Sequence, residues 1–166
     1  MRILPVLAFA TTLTAASAFG AAAGPGHAGH DHSGHDHAAE TDYGRPGDPA
    51  KGGRVVQVVM KETDSGMAFA PERIEVRQGE QVQFVLRNGG ELEHELVIGT
   101  VEANREHAEE MASHPDMAHE DPNAKRLGPK TSGVLRWQFT QAGTFEYACL
   151  IPGHREAGMV GTVVVK

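Results

Sequence analysis

The chain has 166 residues, with 15 basic and 22 acidic side chains and a formal charge of -7 when its histidines are neutral. That balance lacks the basic patches nucleic acid requires, and a single cysteine cannot close an internal disulfide. Glycine and proline number 20 and 9, below the share of about 25–30% that would leave a whole chain disordered, so a folded domain is expected.

The N-terminal stretch MRILPVLAFATTLTAASAFGAAAG carries one positive charge, Arg2, then an apolar run from Ile3 to about Leu13, then small residues. This is the pattern of an export signal over residues 1–23, with cleavage after Ala18 or after Ala23. The apolar run falls short of the roughly 20 residues a membrane span needs, so no span is expected once the signal is removed. No second arginine accompanies Arg2, which points to the general secretory route, a periplasmic destination and metal acquisition after export.

Residues 24–53 are glycine, alanine, histidine, aspartate and proline, with almost nothing apolar except Tyr43. Such a segment cannot bury enough surface to offset its ordering entropy and is expected to be a disordered tail. The pattern changes at Arg54. RVVQVVMK is β-branched, RIEVR alternates, and EQVQFVLRN sets Val82, Phe84 and Leu86 against polar partners. HELVIG, GVLRWQFT, GTFEYACL and MVGTVVVK add four more strand-like runs, separated by turn chemistry such as NGGE, QAGT and IPGH. Seven or eight short strands at regular spacing predict one all-β domain over residues 54–166, an antiparallel β-sandwich. One stretch, residues 101–127, breaks the rhythm. Its first part is rich in helix formers up to His114, Pro115 stops the run, and its length exceeds an ordinary hairpin connection. Trp137 and Phe139 alternate in LRWQFT and are expected on one face of a sheet, in the core.

The only cysteine lies in CLIPGHREAGMVG, where His154 follows Cys149 by five positions and Met159 follows His154 by five. Thiolate, imidazole and thioether on one loop are ligand types that copper favours. A site cycling between Cu(I) and Cu(II) needs a second imidazole, and His94, at the start of the strand HELVIG, is the candidate. Taken singly, Cys149 fits a buried small hydrophobe, His154 a surface loop, Met159 a core filler and His94 a strand start. Zinc accepts the same ligand types, but structural zinc sites usually have two or more cysteines.

The segment MAFAPERIEVRQGEQVQFVLRNGGELEHELVIG and the loop YACLIPGHREAGMVGTVVV resemble the two halves of a cupredoxin, the blue-copper fold. The resemblance covers about two-thirds of the chain and implies a Greek-key sandwich. It also implies that His94, Cys149 and His154 are equatorial copper ligands, with Met159 a weak axial one. In multicopper oxidases and copper nitrite reductases, histidines beside the cysteine carry electrons to a second copper. Here the neighbours are Ala148 and Leu150, so the resemblance implies no enzyme, with Cu(I) oxidation left open.

Further ligand types stand outside this set. The tract HAGHDHSGHDH offers His27, His30, His32, His35 and His37 for accessory copper, against the alternative of a solvated linker. In the insertion, His107, Met111 and His114 share one helix face, followed by Met117 and His119. These could hold Cu(I), or Met111 could simply face the sandwich; burial of Met111 would weaken the metal reading. A His-rich N-terminus joined to this domain resembles the CopI-type copper-tolerance cupredoxins. The expectation is a monomer that handles copper ions, with a periplasmic redox protein or copper exporter as partner. The alternative is a soluble electron carrier.

Overall fold

The computed structural model describes residues 40–114 and 121–166. The expected signal (1–23), His27, His30, His32, His35, His37, Met117 and His119 lie outside the described residues. Along the chain run β1 (Arg45–Pro46), β2 (Arg54–Thr63), β3 (Gly66–Ala70), β4 (Arg73–Val76), β5 (Gln81–Asn88) and β6 (His94–Gly99). Then follow helix α1 (Val101–Ser113), β7 (Ala124–Leu127), β8 (Ser132–Gln138), β9 (Gly143–Ala148) and β10 (Val160–Val165).

The strands form two five-stranded sheets, ordered β1-β8-β5-β2-β3 and β4-β10-β9-β6-β7. This is the expected sandwich, with one difference in pairing. β2 and β5 are parallel, as are β4 and β10, so each sheet is mixed rather than purely antiparallel. The cause is a crossing: β4 lies in the second sheet, so the chain leaves the first sheet after β3 and returns beside β2 in the same direction. Val58, Met60, Val82, Phe84, Leu86 and Trp137 of the first sheet meet Leu96, Ile98, Tyr147 and Val163 of the second in one core. Burial of each such side chain is worth about 1.5–3 kcal/mol, which is why the alternating runs decide the fold. Trp137 and Phe139 are both buried, as their alternation predicts.

β6 is buried at all six positions, because it is covered on both faces. Behind it Val97, Ala148 and Leu150 form a second small core against Ala108 of α1 and Ala124 of β7. The helix starts where the Thr100 hydroxyl accepts from the Ala103 N–H at 3.0 Å, and it ends at His114, beside Pro115. The stretch read as one insertion is thus two elements: a helix that roofs β6, and the strand β7 that pairs with it from His94↔Leu127 to Val97↔Ala124.

Residues 40–53, assigned to the tail by sequence, include contacts with the sandwich. β1 pairs with β8, Tyr43 stacks on Trp137 with ring centroids 5.7 Å apart, and the Trp137 indole N–H donates to the Tyr43 carbonyl at 2.9 Å. One aromatic residue in a polar stretch is enough to dock the segment, because Trp137 presents both a ring face and a donor. Among the described residues no helix is long and apolar enough to cross a membrane.

Candidate metal centre

The loop of residues 149–159 closes between β9 and β10 through its own backbone. The Cys149 N–H donates to the Met159 carbonyl at 3.1 Å, the Met159 N–H to the His154 carbonyl at 3.1 Å, and the His154 N–H to the Ile151 carbonyl at 3.0 Å. Gly158 takes φ +95°, a conformation a side chain would strain, and so turns the chain back into Met159. β9 pairs with β6 at Ala148↔Val97, which brings Cys149 beside the start of β6. The Glu95 N–H points at Cys149 Sγ, 3.5 Å away.

Three side chains from two distant stretches of the sequence converge here. His94 Nδ1 lies 3.3 Å from His154 Nδ1, Cys149 Sγ lies 3.3 Å from the same nitrogen, and all three atoms fall within 4.8 Å of one another. Among the described residues this is the one group of His, Cys, Asp or Glu side chains that gathers so closely. Met159 is wholly buried, with its backbone bonded to both Cys149 and His154. The donor set of two imidazole nitrogens and a sulfur in a largely dry pocket fits copper.

Burial pushes the Cys149 thiol up to about 12, and the N–H groups of Glu95 and Ile151 pull only partly against it. A metal entering the site therefore displaces the thiol proton. Burial, and then the charge of His94, pull the His154 pKa below its ordinary value, so this imidazole is neutral at neutral pH.

The surrounding residues were not apparent from sequence. Glu62, at the end of β2, faces His94 Nε2 at 2.9 Å. Burial raises the Glu62 pKa, but the N–H groups of Leu92 and Glu91 and the His94 ring outweigh it and bring it down to about 2. Asn88, wholly buried, donates to the carbonyls of Leu92, Leu127 and Gly128 at 2.7–3.1 Å and accepts from Gly90 N–H, so it fixes the loop leading into His94. The Glu95 carboxylate accepts from the Leu150 N–H at 3.1 Å and from Arg126 at 3.1 Å, tying β6 to the cysteine loop. Arg155, next to His154, grips Glu146 with two nitrogens, and Asn104 of α1 donates to the same carboxylate at 3.2 Å. Asn88 alone had a local signal, the turn sequence NGGE.

The accessory candidates separate. Met111 is 7% exposed and, with His107, lines a cavity of about 500 Å³ bounded by Glu95, Val97, Ala124 and Arg126. His114 is exposed at the helix end. The helix face therefore serves first to cover β6.

With fold and site in view, the comparisons with known proteins agree. Residues 56–166 match the model of the copper binding proteins of the plastocyanin/azurin family. The chain is 53% identical over 166 residues to the copper-resistant cuproprotein CopI of Rubrivivax gelatinosus, covering 99% of this chain and 98% of that one. It is 35% identical over 153 residues to the protein of the same name from Pseudomonas aeruginosa, covering 75% and 82%. In fold it resembles reduced auracyanin from Roseiflexus castenholzii, with a TM-score of 0.57 at 21% identity over 70% of this chain and 99% of that one. The two imidazoles and the thiol that the fold draws together form a candidate metal site inside the matched region, and the chain belongs to the plastocyanin/azurin family of copper-binding proteins, among its CopI-type cupredoxins.

Proposed function

We propose that the protein is a periplasmic copper-tolerance cupredoxin that holds one copper through His94, Cys149, His154 and Met159 and gathers further copper on its His-rich N-terminal tract. The observation that carries the tolerance role is the extent of the likeness. Identity to a copper-resistant cuproprotein runs over 99% of the chain, whereas the family model matches only residues 56–166. The part beyond the copper-binding domain is shared as well.

Bound copper supplies a one-electron couple. The chain's own residues do the rest. Cys149 gives up its proton and becomes a thiolate partnered by the Glu95 N–H. His94 and His154 turn their Nδ1 atoms inward, and the short backbone bonds of the 149–159 loop hold sulfur and nitrogen in one place as charge changes. His27, His30, His32, His35 and His37 add imidazoles suited to Cu(II), without a preformed pocket.

Growth of a deletion strain across a copper series tests the reading. Sensitivity to raised copper, rescued by the intact gene and not by Cys149→Ser, is the expected result. A respiratory defect at low copper with normal tolerance would transfer the protein to the electron-carrier reading.

A further inference from the structure

Glu62 stands 32 positions before His94 and on the opposite sheet, yet its carboxylate is fully engaged at the site. Oε1 faces His94 Nε2 at 2.9 Å and accepts from the Leu92 N–H at 2.9 Å, while Oε2 accepts from the Glu91 N–H at 3.0 Å. Gly90 makes room for it, since a Cβ there would overlap both carboxylate oxygens. The His94 side chain is wholly buried and that of Glu62 is 30% exposed, so the charge acts on the imidazole from the protein side with little water between.

We propose that Glu62 is a positioning residue of the copper centre that also sets its potential: it fixes His94 with Nδ1 inward and biases the centre toward Cu(II). The inference rests on the reading of His94 as a ligand. A carboxylate that accepts from the distal N–H of a ligating imidazole fixes the tautomer and raises the basicity of the other nitrogen. It also places a full negative charge one ring away from the metal, which favours the more positive of two oxidation states. A hydrogen bond to a neutral acceptor would orient the ring equally well without that charge. The chemistry being tuned is the single electron that separates Cu(II) from Cu(I), and Glu62 neither gains nor loses a bond in that step.

The test is a redox titration of the full-length, copper-loaded protein, followed at its thiolate-to-copper absorption. Glu62→Gln keeps an acceptor and removes the charge. It should lower the Cu(II)-to-Cu(I) affinity ratio about tenfold, a rise in potential of about 59 mV for one electron. Glu93→Gln makes the same charge change beside the same ligand, at a side chain that is 52% exposed and pairs with Arg126, and should move the ratio less than about twofold. Glu62→Asp keeps the charge and should stay within about threefold of the native ratio. If Glu62→Gln cannot hold copper, the Asp variant decides. A native-like ratio supports the charge role, and a shift of about tenfold overturns it. An unmoved potential in coloured Glu62→Gln, or an equal shift in Glu93→Gln, also overturns it. A native protein without the thiolate absorption would instead sink the site assignment on which the inference stands.

Discussion

Cys149 is a wholly buried thiol as well as a candidate ligand, so the two roles can be separated by substitution. Cys149→Ser should abolish the intense visible absorption while changing stability by less than about 1 kcal/mol, because the thiolate carries the colour and the strands are held by apolar faces. Urea melts beside absorption spectra check both halves. Met159→Leu should keep copper and raise the potential, since a weak axial thioether contributes little to holding the metal. Loss of copper from that variant would make Met159 a principal donor. The candidate ligands were legible because their types are uncommon together and their spacing spans one loop. Glu62 was not. A glutamate at the end of a strand reads as a solvated residue, and its meaning comes from a partner on the other sheet, which no local pattern records.

At the scale of elements, the sequence displayed the interior strands and hid most of the edges. β1, β3 and β7 all went unread, and each lies at a sheet margin with one partner only. An edge strand takes its conformation from its neighbour, so its own residues need not alternate, as AKRL in β7 does not. α1 was visible from its helix formers and Pro115, but its purpose required the buried contact with Glu146. Asn104→Ala removes one of the bonds to that carboxylate, which keeps Arg155, and should cost about 0.5–1.5 kcal/mol in chemical denaturation. The turn between β4 and β5 gives a pH-dependent prediction. Burial raises the Glu80 pKa, but the Arg77 N–H and the Arg54 guanidinium outweigh it, so the folded value lies below the ordinary 4.5. A depressed carboxyl contributes stability that is present above the unfolded value and lost as pH falls through the folded one. Glu80→Gln should therefore destabilise by about 1 kcal/mol at neutral pH and converge on the native protein in acid, as melts at several pH values can show.

For the whole molecule, the docking of Tyr43 on Trp137 bears on where the chain can be cut. A protein beginning at Glu40 should lose the tract's extra copper, keep one coloured copper per chain and remain as stable as full length. One beginning at Arg54 also loses Tyr43 and its carbonyl, and should fall by about 2 kcal/mol. Because Trp137 is the chain's single tryptophan, its emission should shift to the red in the second protein and not in the first. Equilibrium dialysis with Cu(II) supplies the stoichiometry, and one copper in the full-length protein would remove any capture role for the tract. The parallel pairing of β4 with β10, from Arg73↔Thr162 to Val76↔Val165, gives one strand two duties. The sheet built from β1, β8, β5, β2 and β3 uses no residue beyond Gln138, whereas β4 has β10 as its one strand neighbour. The same β10 pairs on its other side with β9, starting at Val160↔Ala148, so it also closes the loop that carries Cys149, His154 and Met159. A change that loosens β10 would therefore release β4 and the candidate ligands together.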